Sequence, residues 1–481
     1  MSDEVWVGLD VGTQSARALA ACADGAVVGR GVRPLRSRRD GDRHEQDPAQ
    51  WWEAAALACR EALDGAAPGR VRGVAVCGTS GTILLLDRAG APASPVLMYD
   101  DARAAGQGAD KLRWLLEQPA AREPGARLAH QPDVITGRLV GEPVATDESH
   151  ALKSGYDLQS ERWSADVECE QMPPVVRAGS LLGTVCDEAA AQTALPAGTP
   201  VIAGMTDGCA AQIAGGDLRD GAWSSVLGTT LVVKGVSAQL IRDPGGALYN
   251  HRSPDGGWLP GGASSCGAGV LTAQFPDRDL DELGDRAQEH EAGAPVAYPL
   301  VGRGERFPFR APQARPFVLG EPAGDGEHFA ALLQGVAFVE RLCLDYATLL
   351  GARVDGALTA TGGATASRYW CQLRADVLGR PLRLPEQVES AFGMAVLAAA
   401  ATRDCACARA AGEMCRTRAV IDPRPDRSGR FDERYLRLVS ELERRGWLAA
   451  KLAEHARANI WTDRRPGAPT RTNHFPESGA T

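Results

Sequence analysis

Apolar positions along the chain come in short runs that break at glycine. Residues 4–10, "EVWVGLD", read as a strand, and 16–32, "ARALAACADGAVVGRGV", predict two more strands joined at the turn "ADG". Together they predict a small antiparallel meander with residues 10–13 at its first corner. Residues 48–63, "PAQWWEAAALACREAL", predict a helix with Pro48 near its start. Residues 71–92, "VRGVAVCGTSGTILLLDRAGAP", predict a buried strand, a small polar corner, a second strand and a turn. Residues 110–117 have a helical period, whereas 118–170 are loop-rich and show no clear one. Residues 200–236 read as a strand running into Met205-Thr206-Asp207, a helix of small residues, and a strand–turn–strand, "WSSVLGTTLVVKG". A long apolar helix follows at 328–350, then strand, glycine turn, helix and strand over 356–384, and a helix of small residues at 390–401. The alternation is that of a mixed α/β protein.

"VGLDVGTQSARALA" and "SSVLGTTLVVKG" share one pattern of strand, Gly-Thr turn and strand. Either the chain is internally duplicated or these are two ordinary tight hairpins.

Composition narrows the function classes. The 481 residues suffice for two or three domains, and 44% hydrophobic with 23% charged residues is ordinary for a soluble globular protein. A net charge of −9 argues against a general nucleic-acid or anionic-membrane binder, which needs a basic face. The acidic N-terminus lacks a basic segment followed by an apolar core, and no run of 18 apolar residues occurs, so neither signal peptide nor transmembrane helix is expected and the cytoplasm is the default. The 12 cysteines are scattered without a CxxC pair, which points to small buried hydrophobes rather than a zinc ribbon. The stretch 463–481 is polar with Pro and Gly, and a disordered tail is expected over 461–481.

Three glycine turns each follow an apolar strand: Gly12-Thr13, Gly228-Thr229-Thr230 and Gly362-Gly363-Ala364. Glycine lets backbone approach a ligand closely, and amides exposed at such turns bind anions. No Walker loop or dinucleotide fingerprint is present. Two aspartates accompany the turns. Asp10 precedes the first, and Asp207 ends a strand. Phosphoryl transfer uses Mg²⁺ held by one or two carboxylates and benefits from a carboxylate that takes the attacking hydroxyl's proton. Taken alone, Asp207 would also suit an N-cap of the following helix.

These motifs resemble the FGGY family of carbohydrate kinases, over residues 5 to 455. "GLDVGTQSARA" resembles the family's first phosphate motif, "GMTDGCAAQIAGG" the segment with the catalytic aspartate, "SSVLGTTLVVKG" the second phosphate motif, and "TGGATASRYWCQLRADVLGRPL" the adenosine motif. The resemblance implies two actin-like (ribonuclease-H-like) lobes, each a mixed sheet flanked by helices, with the active site in the cleft between them. The lobes are expected at 1–240, binding sugar, and 241–460, binding adenosine. It implies ATP and Mg²⁺ as cofactors. Asp207 would be the base, and Asp10 and Asp207 would serve metal and substrate. Gly12, Thr13, Gln14, Ser15, Arg17, Gly228 and Thr229 would lie along the phosphates, and Gly362, Gly363 and Ser367 would border the adenosine. Partners would be a small sugar and ATP, with no nucleic acid or membrane, in a monomer or homodimer.

The substrate corner, "VCGTSGT" at 76–82, lacks the Gln-Met-His-Gly usual in xylulokinases and the Arg-Glu pair of glycerol kinases. Ser80 and Gly81 suit hydrogen bonds to hydroxyls. Asp101, in an Asp-x-Arg element, would bind a hydroxyl or pair with Arg103. Together with "LMYDDARA" and "LPGGASSCGAG", the corner looks most like the plant and cyanobacterial D-ribulose kinase group, implying D-ribulose 5-phosphate as product. D-xylulose, another ketose or a polyol is the alternative, and a non-catalytic sugar or nucleotide sensor or an actin-like ATPase is the reading from another class. Trp51 and Trp52 are expected to pack, Arg36–Arg39 to be solvated, and His150 and His251 to sit at the surface.

Overall fold

The computed structural model describes residues 4–460 apart from 66–67, 105–107 and 428, so the expected tail at 461–481 lies outside the described residues. Strands β1 (Val5–Val11), β2 (Ser15–Cys22) and β3 (Val27–Pro34) form the antiparallel meander expected from their alternation. Helix α1 (Pro48–Ala62) begins at its proline, where the missing N–H is not needed, and Asp47 caps it by accepting the Ala49 N–H. Trp51 and Trp52 are buried and donate to Gln46 and Gln192, so both are packing residues. Arg38 and Arg39 are exposed on a short strand, as anticipated for a solvated stretch.

β4 (Val71–Gly78) lies parallel to β1. The segment 118–170 is more ordered than its pattern suggested. It holds the strand Arg127–His130, paired with Ile83–Leu86, the helix Gln131–Val140, and the one-turn helix α2 (Glu148–Ala151). β5 (Leu181–Thr184) and β6 (Pro200–Ile202) complete a six-stranded sheet in the order β5-β6-β4-β1-β2-β3. Helix α3 (Asp207–Ala214) follows β6.

The second sheet has seven strands. β7 (Trp223–Leu227), β8 (Leu231–Gly235), β9 (Tyr249–Arg252) and β10 (Trp258–Ser264) come first. Then come helix α4 (Asp325–Leu349), β11 (Leu358–Thr361), helix α5 (Arg368–Leu378), β12 (Leu382–Pro385), helix α6 (Ser390–Thr402) and β13 (Thr417–Ile421). The order is β9-β10-β8-β7-β11-β12-β13. Its inner strands repeat the first sheet in position and sense: the antiparallel set β3-β2-β1 matches β10-β8-β7, and the parallel continuation β4-β6 matches β11-β12. The Gly-Thr hairpins occupy the same place in both sheets, which favours duplication over two unrelated turns.

The division of the chain differs from the one anticipated at residue 240. The hairpin 223–235 pairs within the second sheet, because β7 finds its parallel partner in β11. Helix α6 follows β12 of the second sheet yet packs against β1, β4 and α3. It is apolar all round, and Ala391 through Ala400 are all buried. Its approach is close: a Cβ on Gly8 would lie 1.7 Å from the Ala391 carbonyl oxygen, and one on Gly393 would lie 1.9 Å from that of Ala210. The Trp6 indole donates to Thr402 Oγ1 at 2.7 Å at the other end.

Within the second lobe Arg374 and Glu340 form a fully buried ion pair at 2.6 Å, and Arg374 also donates to Ser225 on β7. Seven of the cysteines are buried and all are free, in keeping with their reading as apolar fillers. Among the described residues no helix is long and apolar enough to cross a membrane.

Gly8→Ala is expected to destabilise the protein by about 3 kcal/mol, because the new methyl must push α6 off β1. Gly302→Ala, where a Cβ meets nothing within 4 Å, is the control. Chemical denaturation of both variants against the parent reads the difference.

Candidate active site

Asp10 sits near the end of β1, in register with Arg17 on β2 and Cys77 on β4. Its carboxylate is buried, 3.8 Å from the Arg17 guanidinium, and accepts from the Cys77 thiol at 3.6 Å. At the end of β4, Gly78 bridges Thr206. Thr206 holds the cap position of α3, so Asp207 is the first helical residue and not the cap. Asp207 Oδ1 accepts the Gly208 N–H at 2.7 Å, and Ser390 at the start of α6 donates to the Asp207 carbonyl.

The two carboxylates feel one another. Burial, and then Asp207, push the Asp10 carboxyl up to about 6. Burial also raises Asp207, against the Gly208 N–H and the charges of Lys234, His150 and Lys153. Such a pair fits a divalent cation, which removes the like-charge cost. Among the described residues there is no cluster of three or more His, Cys, Asp or Glu side chains suited to a metal. Mg²⁺ needs none, since one or two carboxylates suffice beside waters and phosphate oxygens.

The segment that was hard to read in the sequence positions Asp207. Asp147 caps α2, accepting the Ser149 and His150 N–H groups, and Ser149 Oγ accepts the Thr206 N–H at 2.8 Å. His150, expected at the surface, is fully buried. Its Nδ1 lies 2.6 Å from Asp147, and its Nε2 meets the Gly78 carbonyl at 3.3 Å. Burial lowers the His150 pKa, but the Asp147 carboxylate outweighs it and the net direction is up. His251 is likewise buried, on β9. Burial together with Lys234, Lys153 and His150 holds it well below the ordinary histidine range. Both histidines fail the surface expectation for one reason: a polar-looking local sequence does not reveal a partner supplied from another element.

The glycine turns sit at the ends of central strands. Gly12 donates to the Ser15 carbonyl, closing the turn that carries Thr13 and exposed Gln14. Gly228 and Thr229 follow β7. Gly267 and Gly269 press against that turn, where a Cβ on Gly267 would lie 2.4 Å from the Thr229 carbonyl oxygen. Gly362 follows β11 with φ +91°, and its Cβ would lie 2.4 Å from the Leu227 carbonyl oxygen, so only glycine fits between the two strand ends.

Two cavities flank these elements. One, of about 810 Å³ in the second lobe, is lined by Gly363 and Ser367, with Leu271, Asp281, Gly284 and Tyr369 among the rest. The helices Gly269–Gln274 and Leu280–Glu289 that build much of it carried no sequence signal of that role. The other, of about 590 Å³, is lined by Ser80, Gly81, Tyr99, Asp100, Lys153 and Arg306, with contributions from both lobes. Asp101 does not line it. The Asp101 carboxylate is buried and accepts from the Arg103 side chain and the His44 N–H, which is the salt bridge of the second alternative.

The N-terminal domain of the FGGY carbohydrate kinases matches residues 5–110 and 104–214, and the C-terminal domain matches 223–402. The chain belongs to the FGGY family of carbohydrate kinases. A xylulose kinase of Streptomyces coelicolor is 31% identical over 435 residues, covering 82% of this chain and 87% of that protein. The xylulose kinase of Escherichia coli K12 is 27% identical, covering 82% and 89%. Among solved structures, a xylulose kinase from Rhodospirillum rubrum superposes with a TM-score of 0.81 at 27% identity, covering 92% of this chain and 99% of that one. A Plasmodium falciparum glycerol kinase with ADP shares the fold at a TM-score of 0.79 and 17% identity, over 92% and 97% of the two chains. The family and its two-lobed fold are thus as the motifs implied, whereas the D-ribulose subgroup is not confirmed by these relatives.

Three side chains near Asp207 or the cavity shared by the lobes escaped the sequence reading: Lys153, Lys234 and Tyr249. Lys234 is buried on β8, its ammonium bonded to the Cys209 thiol and 3.2 Å from where a Gly208 Cβ would stand. A signal was available. The chain has four lysines against dozens of arginines, and Lys111, Lys153 and Lys234 all lie at this site.

Glu148 on α2 supplies a pH test. Burial raises its carboxyl to about 7, outweighing Arg177 and Arg252. The unfolded chain ionises this group near 4.5, so folding stability falls as pH rises from there through 7. Glu148→Gln is expected to stabilise the protein at pH 8 by something of order 2 kcal/mol, with the gain fading towards pH 5. Denaturation midpoints at the two pH values check the sign.

Proposed function

We propose that the protein transfers the γ-phosphate of ATP to a hydroxyl of a ketopentose, with Asp207 as the base that takes the hydroxyl proton. The observation that carries this reading is the convergence of Asp10 and Asp207 at the end of β4, two residues before Ser80 and Gly81, which line a cavity shared with Arg306 of the second lobe. Asp207 is raised by burial, which brings a carboxylate nearer to the pKa useful for accepting a proton. Asp10 and Asp207 would hold Mg²⁺, which supplies charge neutralisation for the phosphates. Thr13, Gln14, Ser15 and Arg17 from the first turn, with Gly228 and Thr229 from the second, would line the phosphates. Gly362, Gly363 and Ser367 would border the adenosine. Positioning and the exclusion of water between the lobes would supply most of the rate enhancement.

D-Xylulose is the first candidate acceptor, supported by the relatives from Streptomyces and Escherichia named xylulose kinase. D-Ribulose is the second. It is favoured by the small neutral corner Thr79-Ser80-Gly81, which departs from the usual xylulokinase corner. ADP release measured with MgATP and D-xylulose, D-ribulose, L-ribulose, ribitol, glycerol or no sugar separates them. Release that ignores the sugar points to an ATPase, and silence across the panel to a sensor.

Asp207→Asn is expected to lower kcat about 10³-fold while leaving ATP affinity nearly intact. Substantial residual turnover removes Asp207 as the base. Thr13→Val is expected to weaken MgATP binding about tenfold, the equivalent of one lost hydrogen bond to a charged group. An unchanged dissociation constant in calorimetry takes Thr13 off the phosphate path.

A further inference from the structure

Among the described residues, the charged groups of the acceptor cavity are mostly cationic. Lys111, Lys153 and Arg306 line it, with Asp100 as the one carboxylate. Asp100 is committed to Arg39 at 2.8 Å and to His44. Lys111 is satisfied by the carbonyls of Met98 and Tyr99. The Lys153 ammonium is different. It stands 3.8 Å from the ring centroid of Tyr249, which comes from β9 of the other lobe. Among the described residues it makes no hydrogen bond to oxygen and no ion pair. Its charge also reaches Asp207.

An ammonium carries three donors and no acceptor, whereas a hydroxyl group must place a proton of its own. Ser80, which both donates and accepts, suits hydroxyls. Lys153 best suits an oxygen without a proton. Composition adds weight: in a chain that uses arginine nearly everywhere, lysine is kept here, as a compact point charge on a flexible stem.

We propose that Lys153 reads the oxidised carbon of the acceptor, its ammonium donating to a ketone carbonyl or carboxylate oxygen, so that open-chain ketoses or sugar acids are taken in preference to polyols of the same length. Tyr249 holds the ammonium in place from the opposite lobe, so the reader is complete only with both lobes together. The inference rests on the sugar-kinase reading and specifies the substrate class of its acceptor cavity.

The test uses the full chain with MgADP present and titrates matched five-carbon ligands by calorimetry: D-xylulose and xylitol, D-ribulose and ribitol, and D-xylonate and D-ribonate. ADP release with MgATP is measured in parallel. For the parent protein at least one oxidised sugar is expected to bind about ten- to a hundredfold tighter than its polyol, the range of one hydrogen bond to a charged group. The ketose and acid arms show which oxygen is read. Lys153→Met is expected to lower that ratio at least tenfold, and Lys153→Arg to restore part of it. Tyr249→Ala, on the other lobe, is expected to lower the same ratio at least threefold and serves if Lys153→Met does not fold. A parent ratio near one, or a ratio unmoved in the variants, overturns the proposal. Selective binding without ADP release leaves Lys153 as the reader and instead removes the kinase reading.

Discussion

The arrangement of the site depends on one close contact, that of helix α6 with the first sheet. Gly8 removes the side chain that would hold the two apart, and the Ala391 carbonyl takes the space. Because α6 leaves β12 in the second sheet and lands on β1 in the first, its packing fixes one lobe against the other. Its first residues, Glu389 and Ser390, reach the aspartates: Ser390 bonds the Asp207 carbonyl, and the Glu389 charge is felt by Asp10. Ten consecutive buried residues from Ala391 to Ala400 give this stretch of the helix no solvated face, which explains its unbroken run of apolar side chains.

Electrostatics divide the cleft into two ends. At one, Asp10 is buried and Asp207 half-buried, both carboxyls are raised, Arg17 is a partial counter-charge to Asp10, and the pair is suited to a cation. At the other, the described residues lining a cavity supply two ammonium groups, a guanidinium and one carboxylate. Lys234 stands beside Asp207, buried on a thiol instead of a carboxylate, and His150 meets the Gly78 carbonyl at the strand-end corner. A buried cation without a carboxylate costs free energy, and here that cost is borne next to the chemistry.

Much of the fold was legible along the chain. The strand–turn–helix pattern, the three glycine turns and the order Asp10, Asp207, Gly228, Gly363 could be read because each is a local feature with a short-range physical cause: alternation, a positive φ, a close backbone approach. The family followed from the same residues. The anionic half of the site was legible for that reason too, since both aspartates lie within or beside a motif.

Local sequence determined the elements and the chemistry carried at their ends. Tertiary structure alone decided which elements share a sheet, sending the hairpin 223–235 into the second sheet and α6 onto the first. It buried His150 and His251, joined Asp101 to Arg103, and brought Lys153 under a tyrosine from the other lobe. The physical reason is common to all of these. Burial and pairing depend on partners tens to hundreds of residues away, and no periodicity in a polar segment records which side chain a distant strand will bring against it.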